Sequence, residues 1–263
     1  MLFGDAPRVK YHKQPLTEVV CQLRFPRILK IDSGLPEKFQ DAIRTHYPLF
    51  QERQEQSSIQ IPNEFQEVMQ PLLDEFNQST RLFDFISEDE KWKITLTSSF
   101  IALSTHDYTK WEIFKEKLQS PLSALAEIYQ PNFFTRAGLR YVDVIQKDKL
   151  DLGAETWSAL LNPLLLGELG DSKIGDRVRE AQRISVIELD IPDEFVRLQH
   201  GIGRDNSTQK PVYVIDSDFS TTKRITYNDW ESVLDRFNRY SRNVFRWVIS
   251  DQLHSAMEPE SIP

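Results

Sequence analysis

Tyr108-Thr109-Lys110-Trp111-Glu112 recurs 119 residues later as Tyr227-Asn228-Asp229-Trp230-Glu231, and the reading of the whole chain turns on this echo. Both copies carry the pattern of a helix start. Thr109 or Asn228 takes the N-cap position, and Glu112 or Glu231, three residues on, can reach back to the cap N–H. Upstream, Leu23-Arg24-Phe25 is echoed by Leu139-Arg140-Tyr141 at an offset of 116 residues. Two echoes in the same order at nearly the same offset imply a duplicated unit.

The patterns between the echoes agree with that reading. Leu16 to Phe25 alternates as a strand, with Val19, Cys21, Leu23 and Phe25 on one side, and Pro26 ends it. Pro36 opens a helix carrying Phe39, Ile43 and Tyr47. Gln51 to Ser58 reads as a polar loop, followed by a short amphipathic helix through Phe65, Val68, Met69, Leu72, Leu73 and Phe76, broken by Pro71. Arg81 to Ile86, Trp92 to Leu96 and Phe100 to Ser104 form a meander of strands. The helix that follows puts Trp111, Phe114, Leu118, Leu122, Leu125 and Ile128 on one face, and Pro121 should kink or split it.

The second half repeats the order. Phe133 to Ile145 is a strand, Glu155 to Leu166 a helix bent at Pro163, and Gly167 to Gly175 a loop. Arg183 to Leu189, Phe195 to Gly201 and Pro211 to Asp218 are three further strands. The last helix aligns Trp230, Val233, Phe237, Val244 and Val248, and Met257 to Pro263 is a tail. The expected fold is α+β: two β-α-β-β-β-α repeats forming one curved antiparallel sheet with helices on one face. Residues 1–130 make the first repeat, with a lead segment and an irregular insert near 49–79. Residues 131–263 make the second, with the tail.

Composition narrows the function classes. With 40% hydrophobic residues in 263, the chain buries a large core. No apolar run approaches the ~20 residues of a membrane span, and the first residues lack a secretory pattern. The single cysteine, Cys21, rules out an intrachain disulfide. The expected compartment is the cytoplasm. Forty acidic against 32 basic residues give a net charge of −8, which disfavours nucleic acid as a partner, because phosphate neutralisation dominates such binding.

Pro15-Leu16-Thr17-Glu18-Val19, Phe100-Ile101-Ala102-Leu103-Ser104-Thr105 with Tyr108 to Phe114, and Arg136-Ala137-Gly138-Leu139-Arg140-Tyr141-Val142 together resemble a sporadically distributed family of uncharacterised bacterial proteins of about this length. The resemblance covers nearly the whole chain. It implies no established activity, cofactor or catalytic residue, and its patchy distribution is compatible with accessory or defence roles.

Chemistry-bearing patterns are sparse. His12, His46, His106, His200 and His254 show no two-histidine ligand spacing, so no metal site is expected. His106-Asp107 reads as a solvated turn pair, since a catalytic base needs a nucleophile in reach. His200 reads as a core or sheet-face histidine, and Cys21 as a buried, inert thiol. Gly201-Ile202-Gly203 leads into a polar turn rather than a helix, which removes the dipole a phosphate loop requires. No Gly-x-Ser-x-Gly elbow occurs. Glu188 and Asp190 read as strand carboxylates on a solvated face, and the two helix-start tryptophans as packing anchors.

Arginines stand out against this background. Alternation turns Arg24 and Arg140 away from the helices, together with Gln22, Arg136 and Gly138. If the halves are related by a dyad, Arg24 and Arg140 approach each other. Their charges then meet either nearby acids such as Glu18 and Asp143, or an anionic group of a partner. The expectation is a non-enzymatic binding or scaffold protein that engages a protein partner through its open sheet face or insert. Its candidate residues are Arg24, Arg140, Arg136 and Gln22, with no catalytic residue and no cofactor. The alternative is a sensor of a small anionic ligand or nucleotide near the same arginines.

Overall fold

In the first long strand, burial follows the alternation. Val19, Cys21 and Leu23 are buried, while Arg24 is exposed on the opposite side. This computed structural model describes residues 2–55, 80–205 and 207–262. Its first half contains β1 (Val9–Tyr11), β2 (Leu16–Arg24), α1 (Leu29–Asp32), α2 (Glu37–Ile43), β3 (Leu49–Glu55), β4 (Thr80–Ile86), β5 (Trp92–Leu96), β6 (Phe100–Thr105) and α3 (Trp111–Tyr129). The second half contains β7 (Arg136–Ile145), α4 (Trp157–Leu160), β8 (Ala181–Glu188), β9 (Glu194–Arg204), β10 (Pro211–Thr221), α5 (Trp230–Val248), α6 (Asp251–Ala256) and β11 (Pro259–Ser261).

Nine strands make one antiparallel sheet in the order β3-β4-β5-β6-β2-β7-β10-β9-β8. The fold is therefore α+β. The first strands of the two halves, β2 and β7, lie side by side in the middle, and each meander runs outward from them. Gln22 sits opposite Gly138, Arg24 opposite Arg136 and Val20 opposite Arg140. A two-fold axis through the Gln22–Gly138 pair would exchange Arg24 with Arg140 and Val20 with Arg136.

The long helices α3 and α5 cover one face. Trp111, Phe114 and Leu118 of α3 and Trp230, Phe237 and Val244 of α5 share a core with Val19, Leu23, Leu139 and Phe219 of the sheet. Each such fully buried side chain contributes about 1.5–3 kcal/mol. Where Gly201 passes β8, a Cβ would stand 1.9 Å from the Ala181 carbonyl oxygen, so only glycine fits this close approach. Among the described residues, no helix is long and apolar enough to cross a membrane.

Several expectations need correction. Neither Thr109 nor Asn228 caps a helix. The helices begin at Trp111 and Trp230, after Lys110 and Asp229, and neither of these makes a side-chain cap bond. The chain stays extended through Lys110 while Tyr108 packs on Phe114 and Tyr141. Glu112 is drawn instead to Arg8, at 2.6 Å. Gln51–Glu55, expected as loop, belongs to β3, an edge strand whose Arg53 pairs with Asp84 and Glu52 with Arg81. The helix expected from Glu155 is four residues long. Asn162 then accepts a bond from Leu164 N–H and starts a separate 3-10 turn at Pro163. The expected tail forms β11, paired with β1. The helix expected over 65–76, with most of the insert, lies outside the described residues.

Pro121 does not split α3, which runs unbroken for 19 residues. A proline cannot donate to the carbonyl four residues back, here that of Lys117. The Tyr47 hydroxyl donates to that oxygen at 2.9 Å. A side chain from the segment after α2 thus fills the bond that the helix lacks.

Candidate functional site

The face of the sheet opposite α3 and α5 carries the arginines, and β2 and β7 set their spacing. Arg24 and Arg136 are direct cross-strand partners. Both donate to one atom, the Gln22 Oε1, from Arg24 Nε at 2.9 Å and from Arg136 Nη1 at 3.3 Å. Arg136 also donates through Nη2 to Asp218 at 3.0 Å. Arg24 makes no ion pair among the described residues. Gly138 permits this arrangement: a Cβ there would lie 2.4 Å from Arg136 Nη1, so the guanidinium folds back across bare backbone.

Arg140 stands apart. It is held by two bonds to Asp216, at 2.8 and 2.7 Å, with Glu18 at 3.8 Å. The bond to Asp216 raises its pKa above the ordinary arginine value. Arg24 and Arg140 do not approach each other, contrary to expectation. Arg140 lies opposite Val20 and Arg24 lies four residues further along β2, a spacing of roughly 13 Å at ~3.3 Å per residue. The structure therefore brings together Arg24, Gln22 and Arg136 and excludes Arg140. Asp143, expected as a possible acid for Arg140, lies on the helix-covered face and pairs with neither arginine.

Other candidates resolve locally. Asp107 is paired with Lys91 at 2.8 Å, and His106 Nδ1 contacts the Thr17 carbonyl at 3.0 Å, so no His–Asp dyad forms. Burial pushes the Cys21 thiol well above its ordinary pKa. Asp190 does not pair with Glu188; it accepts from Leu2 N–H and the Tyr240 hydroxyl, which hold its carboxyl below the usual range. His200 is buried, with Nδ1 2.6 Å from the Tyr213 hydroxyl, and burial lowers its pKa. Among the described residues, no three His, Cys, Asp or Glu side chains gather as a metal-ligand group.

On the helix-covered side lies a cavity of about 170 Å³ that the sequence patterns did not single out. Its floor is Tyr141, Asp143 and Ser217 from β7 and β10, and α5 supplies Asn238, Arg242 and Phe245. Residues 6–11 and 14–16 line its other side. That segment is strapped down at several points: Ala6 N–H donates to the buried Asn243 at 3.0 Å, β1 pairs with β11, and the Tyr11 hydroxyl meets His254 Nδ1 at 2.8 Å. A bulge between Leu16 and Glu18 shifts the β2–β7 register beside Asp143.

Asp143 is 7% exposed, and among the described residues nothing hydrogen-bonds its carboxyl group. Burial raises its pKa from 3.8 to about 8, so it is protonated in the neutral range. Burial also raises Tyr11 to about 12 and pushes the Tyr108 and Tyr141 hydroxyls well above the ordinary tyrosine range. Arg242 has the complementary problem. Among the described residues its buried Nε has no hydrogen-bond partner, and the exposed Asp5 carboxylate is 4.0 Å from its Nη2. Burial lowers its pKa.

Comparison with protein-family models gives no match to the chain, and comparison with curated proteins gives none either.

Proposed function

We propose that this is a non-enzymatic binding protein that holds an acidic surface of a protein partner against the face of its sheet opposite α3 and α5. Arg24, Gln22 and Arg136 form the contact, with Arg140 a fixed flank. The observation that supports this reading is a pair of guanidiniums opposite each other on one amide oxygen. Like charges directly opposite in a ladder destabilise it. Asp218 is the one carboxylate bonded to either among the described residues. A partner's carboxylates complete the charge balance, and the guanidinium fork suits their geometry. The net charge of −8 opposes indiscriminate attraction of acidic molecules, so recognition is local. With its single cysteine the protein belongs in the cytoplasm on this reading. The strand order and the β2–β7 register also support an origin of the two halves by duplication.

The test is the double variant Arg24→Ala/Arg136→Ala, with a polyglutamate peptide as probe in fluorescence anisotropy. Wild type binds in a salt-sensitive manner, and the variant loses at least about tenfold in affinity while melting within a few degrees of wild type. Equal binding by both proteins, or an unfolded variant, refutes the reading. A small anion is the second reading, because the outer nitrogens of Arg24 have no partner among the described residues. Stabilisation by inorganic phosphate or ATP, with the peptide silent, selects it.

A further inference from the structure

The strapped cavity is a second site, on the opposite face from the arginine cluster and independent of it. We propose that it binds a small zwitterion of the amino-acid class, with the ligand's ammonium on Asp143 and its carboxylate on Arg242.

Two unmatched groups of opposite type line one cavity without meeting each other. Nothing in the described protein bonds the Asp143 carboxyl group, which becomes an acceptor once it ionises, and the Arg242 Nε–H has no acceptor among the described residues. A buried polar group without a partner destabilises the fold, and a ligand that supplies the partner removes that cost. Of the other cations lining the cavity, Arg8 is engaged with Glu112 and Arg246 with Asp251 and the Ile249 carbonyl, while Lys10 and Lys110 are exposed to solvent. Arg242 is thus the half-buried cation left to a carboxylate.

A ligand bearing only a cation leaves Arg242 unmatched, and one bearing only an anion meets Asp143 as a neutral donor and puts no ammonium on the cavity's aromatic rings. A zwitterion satisfies acid, arginine and rings together. The rings of Tyr11, Tyr108 and Phe245 also line the space, and aromatic faces attract an ammonium. Volume limits the size: cavities of about 150 Å³ admit a benzene ring, so ~170 Å³ suits an amino acid with a small or medium side chain.

Binding exchanges charge states in a balanced way. Asp143, protonated in the empty protein, gives up its proton to solvent as the ligand ammonium arrives, and a buried ion pair replaces a neutral acid. One proton is therefore released per ligand near neutral pH. Calorimetry detects this as a binding enthalpy that varies with the ionisation enthalpy of the buffer.

The experiment screens the full chain against each of the twenty L-amino acids by thermal shift, then by calorimetry. At least one raises the melting temperature and titrates one to one with proton release. Its decarboxylated amine and its deaminated acid each bind at least about tenfold more weakly. Asp143→Asn and Arg242→Gln each lower affinity at least about tenfold and keep a cooperative melt, whereas Arg24→Ala/Arg136→Ala binds as wild type. The proposal is overturned if no amino acid binds, if either analogue binds as tightly as the zwitterion, or if the cavity variants keep full affinity. Because the arginine-face variant is a control here, failure at one site does not imply failure at the other.

Discussion

Replacing Asp143 by asparagine should make the empty protein more stable, by an amount that grows with pH. The side chain keeps its shape and loses its ability to ionise. In the folded chain Asp143 holds its proton up to about 8, against 3.8 in the unfolded chain. A raised folded-state pKa gives stability that is complete below the unfolded value and lost as pH rises through the folded one. Between about pH 5 and about pH 8 the wild type thus loses on the order of 3 kcal/mol through this group, at about 1.4 kcal/mol per tenfold. Neighbouring groups do not confound the comparison. Tyr11, Tyr108 and Tyr141 titrate above this window. His254, lowered by burial, is common to both proteins and cancels. Arg8, Arg242, Arg246, Lys10 and Lys110, which also line the cavity, are common to both. Urea unfolding followed by tryptophan fluorescence at both pH values measures the difference. A variant-minus-wild-type stability that stays flat with pH means Asp143 ionises as a solvated carboxylate does, and the buried-acid argument fails.

Tyr47→Phe should cost about 1–2 kcal/mol, because it leaves the Lys117 carbonyl without its donor. Adding Pro121→Ala supplies a backbone N–H in its place, so thermal melts of the single and double variants should be non-additive; additive losses rule out the substitution of one donor for the other. Gly138→Ala should push Arg136 off Gln22 and abolish the polyglutamate binding tested above while costing under about 1 kcal/mol, since only the end of a flexible side chain must move. Unchanged peptide affinity would show that the folded-back guanidinium is irrelevant to it. If the halves descend from one unit, the fragment 131–263 should self-associate through β7, seen as a dimer in sedimentation; a folded monomer counts against that origin.

Where burial is one-sided, the pattern was legible. Val19, Cys21 and Leu23 alternate cleanly because one face of β2 packs under helices, and the stripe from Trp111 to Leu125 marks α3 for the same reason. Alternation along Arg136–Ile145 also puts Asp143 on the side of Leu139 and Tyr141. An acid on an apolar strand face is the sequence signal for the cavity, and the same alternation turns Asp143 away from Arg140. The edge strand Leu49–Glu55 hid because its stabilising contacts are cross-strand ion pairs, Arg53 with Asp84 and Glu52 with Arg81, which no local pattern displays. β11 pairs with β1 through backbone bonds, with Glu260 reaching His12 at 3.2 Å, and neither contact shows in a local pattern. The Arg24–Arg136 pairing depends on a register between strands more than 100 residues apart, set by the sheet as a whole.

The central position of β2 has a consequence for how the chain comes together in time. The β4–β5–β6 and β8–β9–β10 ladders join neighbours in sequence and close over short loops. β2 does not: Val19 pairs with Thr105, and Arg24 with Arg136, 112 residues later. At ~5–20 residues per second, the ribosome leaves Arg24 waiting roughly 6–22 s for that partner. During this interval Val19, Cys21 and Leu23 lie along an unpaired edge, the kind of surface on which chains join wrongly. Refolding from denaturant should accordingly be slow and concentration-sensitive, with its barrier set by insertion of one early strand between two later ones.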